Sequence, residues 1–314
     1  MKRPSMATSI RNYIAYRTNM GYKDSHAATL KAFARFADKN YPGEPLTIRL
    51  AIQWSQEPHP KKTSPKYRLS YLRQLAKYLI VRDPDTELIP HRILDPRVQR
   101  YSPYILSQSE LLLFLSTRSY TNKQNISERT IKTVLGLLAC TGMRISEAVM
   151  LKNGDIDWKN GMIVIRNIKR RAMRLLPLDP SAMAKLRSYK KLRDAFYPDV
   201  KTDRFFLLDK GKPITAGGVW ARWRSIWNKM DKTKMCTHKC PRLHDLRHTF
   251  ACNHLLDAYR KKKNIDRELH ILSVYLGHVK VSSTYWYLTA TSELLEHVSL
   301  AFEKYVNQTR KKSS

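Results

Sequence analysis

The chain has 314 residues, about two domains of ordinary size, and 42% of them are hydrophobic, which supports a sizeable core. Lysine and arginine total 58 against 26 acidic residues, a formal net charge of +32. The hydrophobic content excludes a disordered basic tail, and the basic excess is present both before and after residue 105. Basic residues spread over two folded regions favour a long nucleic acid as partner, because its phosphates supply most non-specific affinity.

The chain has four cysteines, and no apolar run typical of a signal peptide follows Met1. No stretch approaches the roughly 18 consecutive apolar residues that a membrane span needs. We therefore expect a protein of the reducing cytoplasm, with no membrane partner and, in a prokaryote, associated with the nucleoid.

Residues 8–80 repeat their hydrophobic side chains at helical spacing, which predicts an all-α N-terminal domain over residues 1–85. The last helix has leucines at positions 69, 72, 75 and 79, and most of its basic residues lie off that stripe. We predict that they face DNA together with two preceding lysines, a merely solvated face being the alternative. The predicted DNA-contacting set comprises Lys61, Lys62, Lys66, Arg68, Arg73 and Lys77.

A proline-rich segment follows the first domain, with prolines at positions 84, 90, 96 and 103. Because each proline removes a helical hydrogen bond, we predict a linker over residues 86–106. A second domain is expected over residues 107–314. It begins at Ser107, an N-cap candidate with Glu110 at the capping-box spacing.

The pattern changes from helical to strand-like between Asp155 and Leu178. Asn160-Gly161 predicts a tight turn between the first two strands. The basic stretch Lys169-Arg170-Arg171 is expected at the tip between the second and third, and Arg170 and Arg171 are further candidate DNA contacts. Helices return afterwards, so the second domain is predicted to be helical with a small antiparallel sheet.

Four islands of the second domain combine residue types that act on phosphates: Thr141–Ala148, the strand-tip Lys169, His244–Ala251, and Leu276-Gly277-His278 followed by Tyr287. In this order the chain resembles the tyrosine recombinases, also called the phage-integrase family. Their catalytic domain carries Arg, Lys, His-x-x-Arg, Leu-Gly-His and a nucleophilic Tyr. The resemblance covers residues from about 107 to 300 and, more loosely, the domain before them.

The resemblance implies a mainly α fold. Its N-terminal part would be a helical core-binding (SAM-like) domain. Its C-terminal part would be a tyrosine-recombinase catalytic domain of helices with a small antiparallel β-sheet. The reaction implied is the transfer of a DNA phosphodiester to a tyrosine hydroxyl.

The nucleophile is assigned to Tyr287, because the family's tyrosine lies nine residues after the histidine of Leu-Gly-His, here His278. Tyr285 and Tyr275 are the competing candidates. A free phenol has a pKa near 10, so about 0.1% is ionised at pH 7 and a neighbouring group must assist its deprotonation.

Cations must stabilise the charge of the crowded phosphorane. Arg144 and Arg247 would hold the non-bridging oxygens, since planar guanidinium groups match phosphate bidentately. They would replace a metal, so no cofactor and no metal site are expected. Lys169 corresponds to the family's mobile lysine, the proposed general acid for the leaving 5′ oxygen, and a neighbouring basic residue is the alternative.

His244 and Arg247 are three residues apart and would share one face of a helix. His244 would accept the tyrosine proton or bind the phosphate, and the resemblance implies that His278 donates a hydrogen bond to a phosphate oxygen. Glu147 would orient the catalytic side chains from behind, a plain surface carboxylate being the alternative.

Two features leave alternatives open. Cys236 and Cys240 flank His238 and offer ligand types that zinc accepts, but their spacing is poor, so a basic loop is preferred. Near the end of the chain, hydrophobic residues at spacings of three and four predict a terminal helix. The resemblance favours its docking on a neighbouring protomer over packing on its own domain.

The predicted function is site-specific recombination of DNA through a 3′-phosphotyrosyl intermediate, for integration, excision or transposition of a mobile element. The expected partners are double-stranded recombination sites, held by a homo-tetramer on two duplexes, and accessory proteins; the free protein would be a monomer or dimer. The alternatives are a non-catalytic sequence-specific DNA-binding protein on the same fold and a topoisomerase that relaxes supercoiled DNA without sequence preference.

Overall fold

The computed structural model describes residues 3–22, 26–58, 64–91, 93, 103–117, 126–167, 172–231, 233, 240–278 and 280–289. The chain divides into two compact units, Met1–Arg100 and Tyr101–Ser314. The described residues are mainly helical and include a three-stranded antiparallel sheet in the second unit, which confirms the predicted fold class.

The first unit is built from helices that bury the predicted hydrophobic stripes. They are α1 Met6–Asn19, α2 Ala27–Asn40, α3 Ile48–Gln56 and α4 Pro65–Leu79. The leucine stripe of α4 is fully packed, with Leu72 and Leu75 at 0% exposure. Phe33 of α2 meets Trp54 of α3 edge to face, with ring centroids 5.1 Å apart.

The segment predicted as a linker is anchored at both of its ends within the described residues. Ile89 is buried in the core of the first unit, and Arg73 of α4 donates to the carbonyls of Ile89 and Pro90 at 2.9 and 2.7 Å. Leu106 is buried in the second unit, where its backbone N–H donates to the hydroxyl of Thr249 at 3.0 Å. The domain boundaries at 85 and 107 stay predictions.

Arg68 does not face solvent, so its inclusion in the predicted DNA-contacting set is wrong. It is 4% exposed, and Nη1 donates to the carbonyls of Trp54, Ser55 and Glu57. These carbonyls lie at the end of α3, where the helix leaves its last acceptors without intrahelical partners. Lys66 and Lys77 of α4 are exposed.

The second unit surrounds its core with helices of very different lengths. They are α5 Gln108–Ser116, α6 Ile126–Thr141, α7 Ile145–Met150, α8 Pro180–Phe196, α9 Ala216–Lys229, α10 Leu243–Arg260, α11 Ile265–Leu276 and α12 Ser282–Tyr285. Helix α5 begins with the predicted capping box, because Ser107 and Glu110 bond each other's backbone N–H groups. Phe114 of α5 stacks on Trp223 of α9, with ring centroids 3.8 Å apart.

The sheet consists of β1 Ile156–Asp157, β2 Met162–Asn167 and β3 Ala172–Pro177, in that order and antiparallel. Gly161 has a φ of +67° in the β1–β2 turn, as the predicted Asn-Gly turn requires. Ile163 and Ile165 of β2 and Leu176 of β3 point into the core. The intervening residues of β3, Met173 and Leu175, are exposed.

Several predicted features lie outside the described residues. They are Lys61, Lys62, Lys169, Arg170, Arg171, Cys236, His238 and the terminal helix beyond residue 289. Among the residues that are described, no helix combines the length and apolarity needed to cross a membrane. Within the same ranges, no three His, Cys, Asp or Glu side chains are grouped so that they could hold a metal ion.

The buried Arg68 generates a stability prediction. Arg68→Met should lower the free energy of unfolding by about 2–3 kcal/mol, because two buried carbonyls and a partly buried one lose a charged donor. Lys77→Met, on an exposed position of the same helix, should change it by no more than about 0.5 kcal/mol. Urea unfolding followed by circular dichroism measures both, and equal effects would contradict a structural role for Arg68.

Candidate active site

Helix α10 carries three of the site's side chains, and the carboxylate of Asp245 caps its start. The backbone N–H of Arg242 donates to the Asp245 carboxylate at 2.8 Å, which holds the first turn in place. His244, Arg247 and His248 follow at spacings of three and four, so they share one side of the helix. This arrangement brings the predicted His244 and Arg247 together.

Arg247 is the most deeply buried cation of the site, at 2% exposure. Nη1 donates to the carbonyl of Gly142 at 2.9 Å, and Nη2 donates to the carbonyl of Leu276 at 2.8 Å. Burial, followed by the repulsion of Arg144, lowers the pKa of Arg247 to about 10, so the guanidinium stays charged at neutral pH. One side chain thus ties the end of α6 to the end of α11.

The glycine that follows α6 is required by this packing. Gly142 has a φ of +60°, and a Cβ atom there would lie 2.6 Å from Cδ1 of Phe250. Its carbonyl is the one that accepts from Arg247. The turn at Gly142 therefore leads the chain to Arg144 in the site. Residues with a Cβ atom rarely adopt this backbone conformation.

Arg144 lies at the start of α7 and interacts twice with Glu147. Its backbone N–H donates to Oε2 at 2.8 Å, and its Nη1 donates to Oε1 at 3.0 Å. Nη2 donates to the carbonyl of Gly277 at 3.3 Å. The side chain is 37% exposed, so part of the guanidinium is open to a ligand.

Arg174 of β3 joins this group, and it is not among the site residues predicted from the sequence. Its Nη1 and Nη2 donate to the two oxygens of Glu147 at 3.0 and 2.7 Å, and its Nε donates to the carbonyl of Tyr275 at 2.9 Å. The signal that could have revealed it is strand alternation, since Arg174 lies two residues before the inward-facing Leu176.

His278 follows directly after α11, which ends at Gly277 in the left-handed conformation with a φ of +66°. The backbone N–H of His278 donates to the carbonyl of Ser273 at 3.0 Å. Its Nδ1 is 2.7 Å from the hydroxyl of Thr284, which is fully buried. These contacts hold the imidazole in one orientation.

Tyr287 is 2% exposed and belongs to a short 3-10 helix, Trp286–Thr289. Its ring centroid is 6.1 Å from that of His278 and 5.5 Å from that of His248. Burial raises the pKa of the phenol, and the charge and hydrogen bond of Arg247 offset part of that effect. The hydroxyl is therefore protonated at neutral pH in the absence of DNA.

The two competing tyrosines lie elsewhere. Tyr285 is 44% exposed, two residues before the buried Tyr287. Tyr275 stacks on Phe250 with centroids 5.6 Å apart, and burial raises the pKa of its phenol to about 12. Tyr287 is the one of the three whose ring contacts His248 and His278.

His248 is a site residue that sequence reasoning missed. Its ring lies between His244, at 4.8 Å, and Tyr287, at 5.5 Å, and its buried Nδ1 has no hydrogen-bond partner among the described residues. Burial and the surrounding cations lower the pKa of His248 and of His278 to about 4, and the same causes lower the pKa of His244. All three imidazoles are neutral at pH 7 and able to accept a proton.

The arrangement suits chemistry on an anion. The guanidinium groups of Arg144 and Arg247, the neutral imidazoles and a buried phenol meet at one place. The two cations repel each other, and Glu147 is the carboxylate that pairs with Arg144. A phosphate would relieve that repulsion. The described parts of the chain offer no grouped acidic or thiolate ligands that would fit a metal.

Comparison with known proteins places this site in a family. The model of the phage integrase family matches residues 105–293. A putative integrase/recombinase, y4rB of Sinorhizobium fredii, is 31% identical over 306 residues, covering 94% of this chain and 96% of that protein. Tyrosine recombinase XerC of Leptospira interrogans is 27% identical over 297 residues, covering 91% and 89%.

A solved structure shares the fold. The integrase of the transposon Tn1549, in complex with transposon right end DNA, matches with a TM-score of 0.68 at 18% identity and covers 96% of this chain and 99% of that one. The match of the family model and the near full-length similarity to y4rB agree with the order of the motifs around Arg144, Arg247 and Tyr287. The chain belongs to the phage integrase family, the tyrosine recombinases.

Proposed function

We propose that this protein is a site-specific recombinase that cuts and rejoins DNA through a 3′-phosphotyrosyl intermediate. The observation that carries the proposal is the buried phenol of Tyr287 beside the charged Arg247 and the neutral His248 and His278. The phenol oxygen attacks a DNA phosphorus, and the bond to the 5′ oxygen breaks. The 5′ hydroxyl of a partner strand then attacks the phosphotyrosine and releases Tyr287.

Arg144 and Arg247 bind the non-bridging oxygens in this mechanism. Arg247 is oriented by its two carbonyl acceptors, so its remaining N–H groups keep fixed directions and need no rearrangement when charge develops. Arg144 is 37% exposed, so part of its guanidinium is open to the phosphate. His278, held by Thr284, donates to a phosphate oxygen.

Proton transfers complete the mechanism. The raised pKa of Tyr287 requires a proton acceptor, and His244 is neutral and points from the same helix face as Arg247. Lys169 protonates the leaving 5′ oxygen; this role rests on the sequence, because Lys169 lies outside the described residues. The two guanidinium groups supply the positive charge that other phosphoryl-transfer enzymes take from metal ions, so the reaction runs without metal or other cofactor.

The biological setting is proposed from relatives. The name of y4rB includes integrase and recombinase, and the Tn1549 protein is a transposon integrase bound to transposon DNA. We infer that this chain acts on a mobile element by integration, excision or transposition, as a tetramer on two duplexes, aided by accessory proteins. A net charge of +32 also favours binding to the phosphates of DNA. We expect the protein to bind its DNA in the cytoplasm.

The nucleophile is tested by covalent capture in EDTA on nicked DNA that carries the sequences flanking the protein's own gene. Wild type and Tyr285→Phe should form an SDS-resistant adduct. Tyr287→Phe should bind DNA as tightly as wild type but form at least about 1000-fold less of the adduct. Tight binding without an adduct from any form would favour a non-catalytic DNA-binding protein. An adduct that requires a divalent ion would contradict metal independence.

The role of Lys169 as general acid is tested with two substrates that differ in the leaving group. Lys169→Ala should slow cleavage of ordinary DNA by about 100-fold or more, because the 5′ oxygen then leaves without a proton. A 5′-bridging sulfur leaves as a thiolate and needs no acid, so the variant should cleave that substrate at nearly the wild-type rate. Arg170→Ala is the matched control. If the 5′-sulfur substrate restored cleavage in Arg170→Ala and not in Lys169→Ala, Arg170 would be the general acid instead.

The depressed histidine pKa values predict how stability depends on pH. His248 and His278 hold a proton in the folded, DNA-free protein only below about pH 4, whereas the ordinary pKa of the unfolded chain is 6.5. Their stabilising contribution is complete above about pH 6.5 and is lost as the pH falls toward 4. Urea unfolding at pH about 7.5, 6 and 5 should show this decline, and His248→Phe should make it shallower. An unchanged slope in that variant would contradict the assignment.

A further inference from the structure

Glu147 is shared by two arginines that come from different elements. Arg144, at the start of α7, places Nη1 3.0 Å from Oε1, and Arg174, on β3, bonds both carboxylate oxygens at 3.0 and 2.7 Å. Glu147 and Arg174 are each 13% exposed, whereas Arg144 is 37% exposed. We call these three residues the Glu147 cluster. Its buried end is Arg174 and its open end is Arg144.

The fold reserves space for Arg174. A Cβ atom on Gly277 would lie 2.8 Å from Nη1 and 3.2 Å from Cζ of Arg174. Gly277 also has the positive φ that ends α11, and its carbonyl accepts from Arg144. The guanidinium of Arg174 therefore passes against a bare backbone, and a third bond from its Nε to the carbonyl of Tyr275 fixes its direction.

The hydrogen bonds described for Arg174 all go to protein acceptors, which distinguishes it from a phosphate ligand. Its Nη1 and Nη2 bond the two carboxylate oxygens of Glu147, the bidentate geometry of the strongest arginine–carboxylate pairs. Burial alone would raise the pKa of Glu147, but the bonds from Arg174 and from the backbone of Arg144 outweigh burial and lower it. Glu147 is therefore ionised at neutral pH.

The charge balance of the cluster follows from these contacts. Two guanidinium groups and one carboxylate leave a net charge of +1, and Arg144 is the partly exposed member that can present it. Without Arg174, Arg144 would be the remaining cation in contact with the carboxylate, and the two charges would cancel. Arg144 would then carry little net charge toward a phosphate.

We propose that Arg174 is a positioning residue for phosphoryl transfer: it saturates and neutralises Glu147 so that Arg144 keeps its charge and its direction for the scissile phosphate. This inference rests on the proposed function. It assigns to Arg174 an action through Glu147, without contact with DNA, and it makes Glu147 harmful to catalysis when Arg174 is absent.

The test uses single-turnover cleavage of the nicked substrate. Arg174→Gln should slow adduct formation by about 100-fold with little change in DNA affinity, because the loss falls on the transition state. Arg174→Lys keeps the charge without the fork and should lose about 10-fold. The double variant Glu147→Gln/Arg174→Gln removes both opposite charges and should recover about 10-fold over Arg174→Gln alone.

Arg166→Gln is the matched control. Arg166 lies on the neighbouring strand β2 and pairs with Asp155 at 2.8 Å, and its side chain is 57% exposed. The variant therefore loses an arginine–carboxylate ion pair outside the cluster, although a more exposed one. We expect it to cleave within about 3-fold of wild type. Thermal unfolding of every variant is measured alongside. A merely structural role would make the cleavage rates of the variants follow their unfolding temperatures, whereas the charge-based role predicts slow cleavage by Arg174→Gln at temperatures where this variant is fully folded.

The outcomes separate this inference from the proposed function. Failure of wild type and Arg166→Gln to form an adduct would contradict the proposed function itself. If wild type is active and Arg174→Gln cleaves at nearly the same rate, only the role of Arg174 is overturned. A double variant that is as slow as Arg174→Gln, or slower, would overturn the charge argument, whereas the recovery described above would support it.

Discussion

The burial of the Arg247 guanidinium is the interaction on which the rest of the site depends. Taking a cation out of water costs several kcal/mol unless its N–H groups find good acceptors. The carbonyls of Gly142 and Leu276 supply two of them. Those carbonyls end α6 and α11, so satisfying one charge also fixes where the segments carrying Arg144 and His278 begin.

The site then accumulates positive charge, and Glu147 is the carboxylate that contacts it within the described residues. Arg144 and Arg247 repel each other, and together with burial they depress the pKa of the histidines, which stay neutral. The mutual repulsion of these cations would be relieved by an anion such as a phosphate diester. Glu147 limits the repulsion, and the pairing of Glu147 with Arg174 keeps that carboxylate from cancelling the charge on Arg144.

The same logic explains which basic residues of α4 are exposed in the first unit. Arg68 and Arg73 of α4 bond backbone carbonyls, while Lys66 and Lys77 are exposed on the same helix. A guanidinium has five donors in a rigid plane and suits several carbonyls at once, whereas an ammonium group is strongly hydrated and stays in water. Position off a leucine stripe was therefore insufficient to predict solvent exposure.

The sequence by itself determined the fold class, the helical stripes, the capping box at Ser107 and the turn at Gly161, because each depends on residues close together in the chain. The order of the motifs, through their family resemblance, also indicated Arg144, His244, Arg247, His278 and Tyr287 as one site. Only the tertiary structure revealed Arg174 and His248 as members and Arg68 as a core residue. Their partners are distant in sequence or lie across the site, and the direction and burial of a side chain are decided by packing that no local pattern contains.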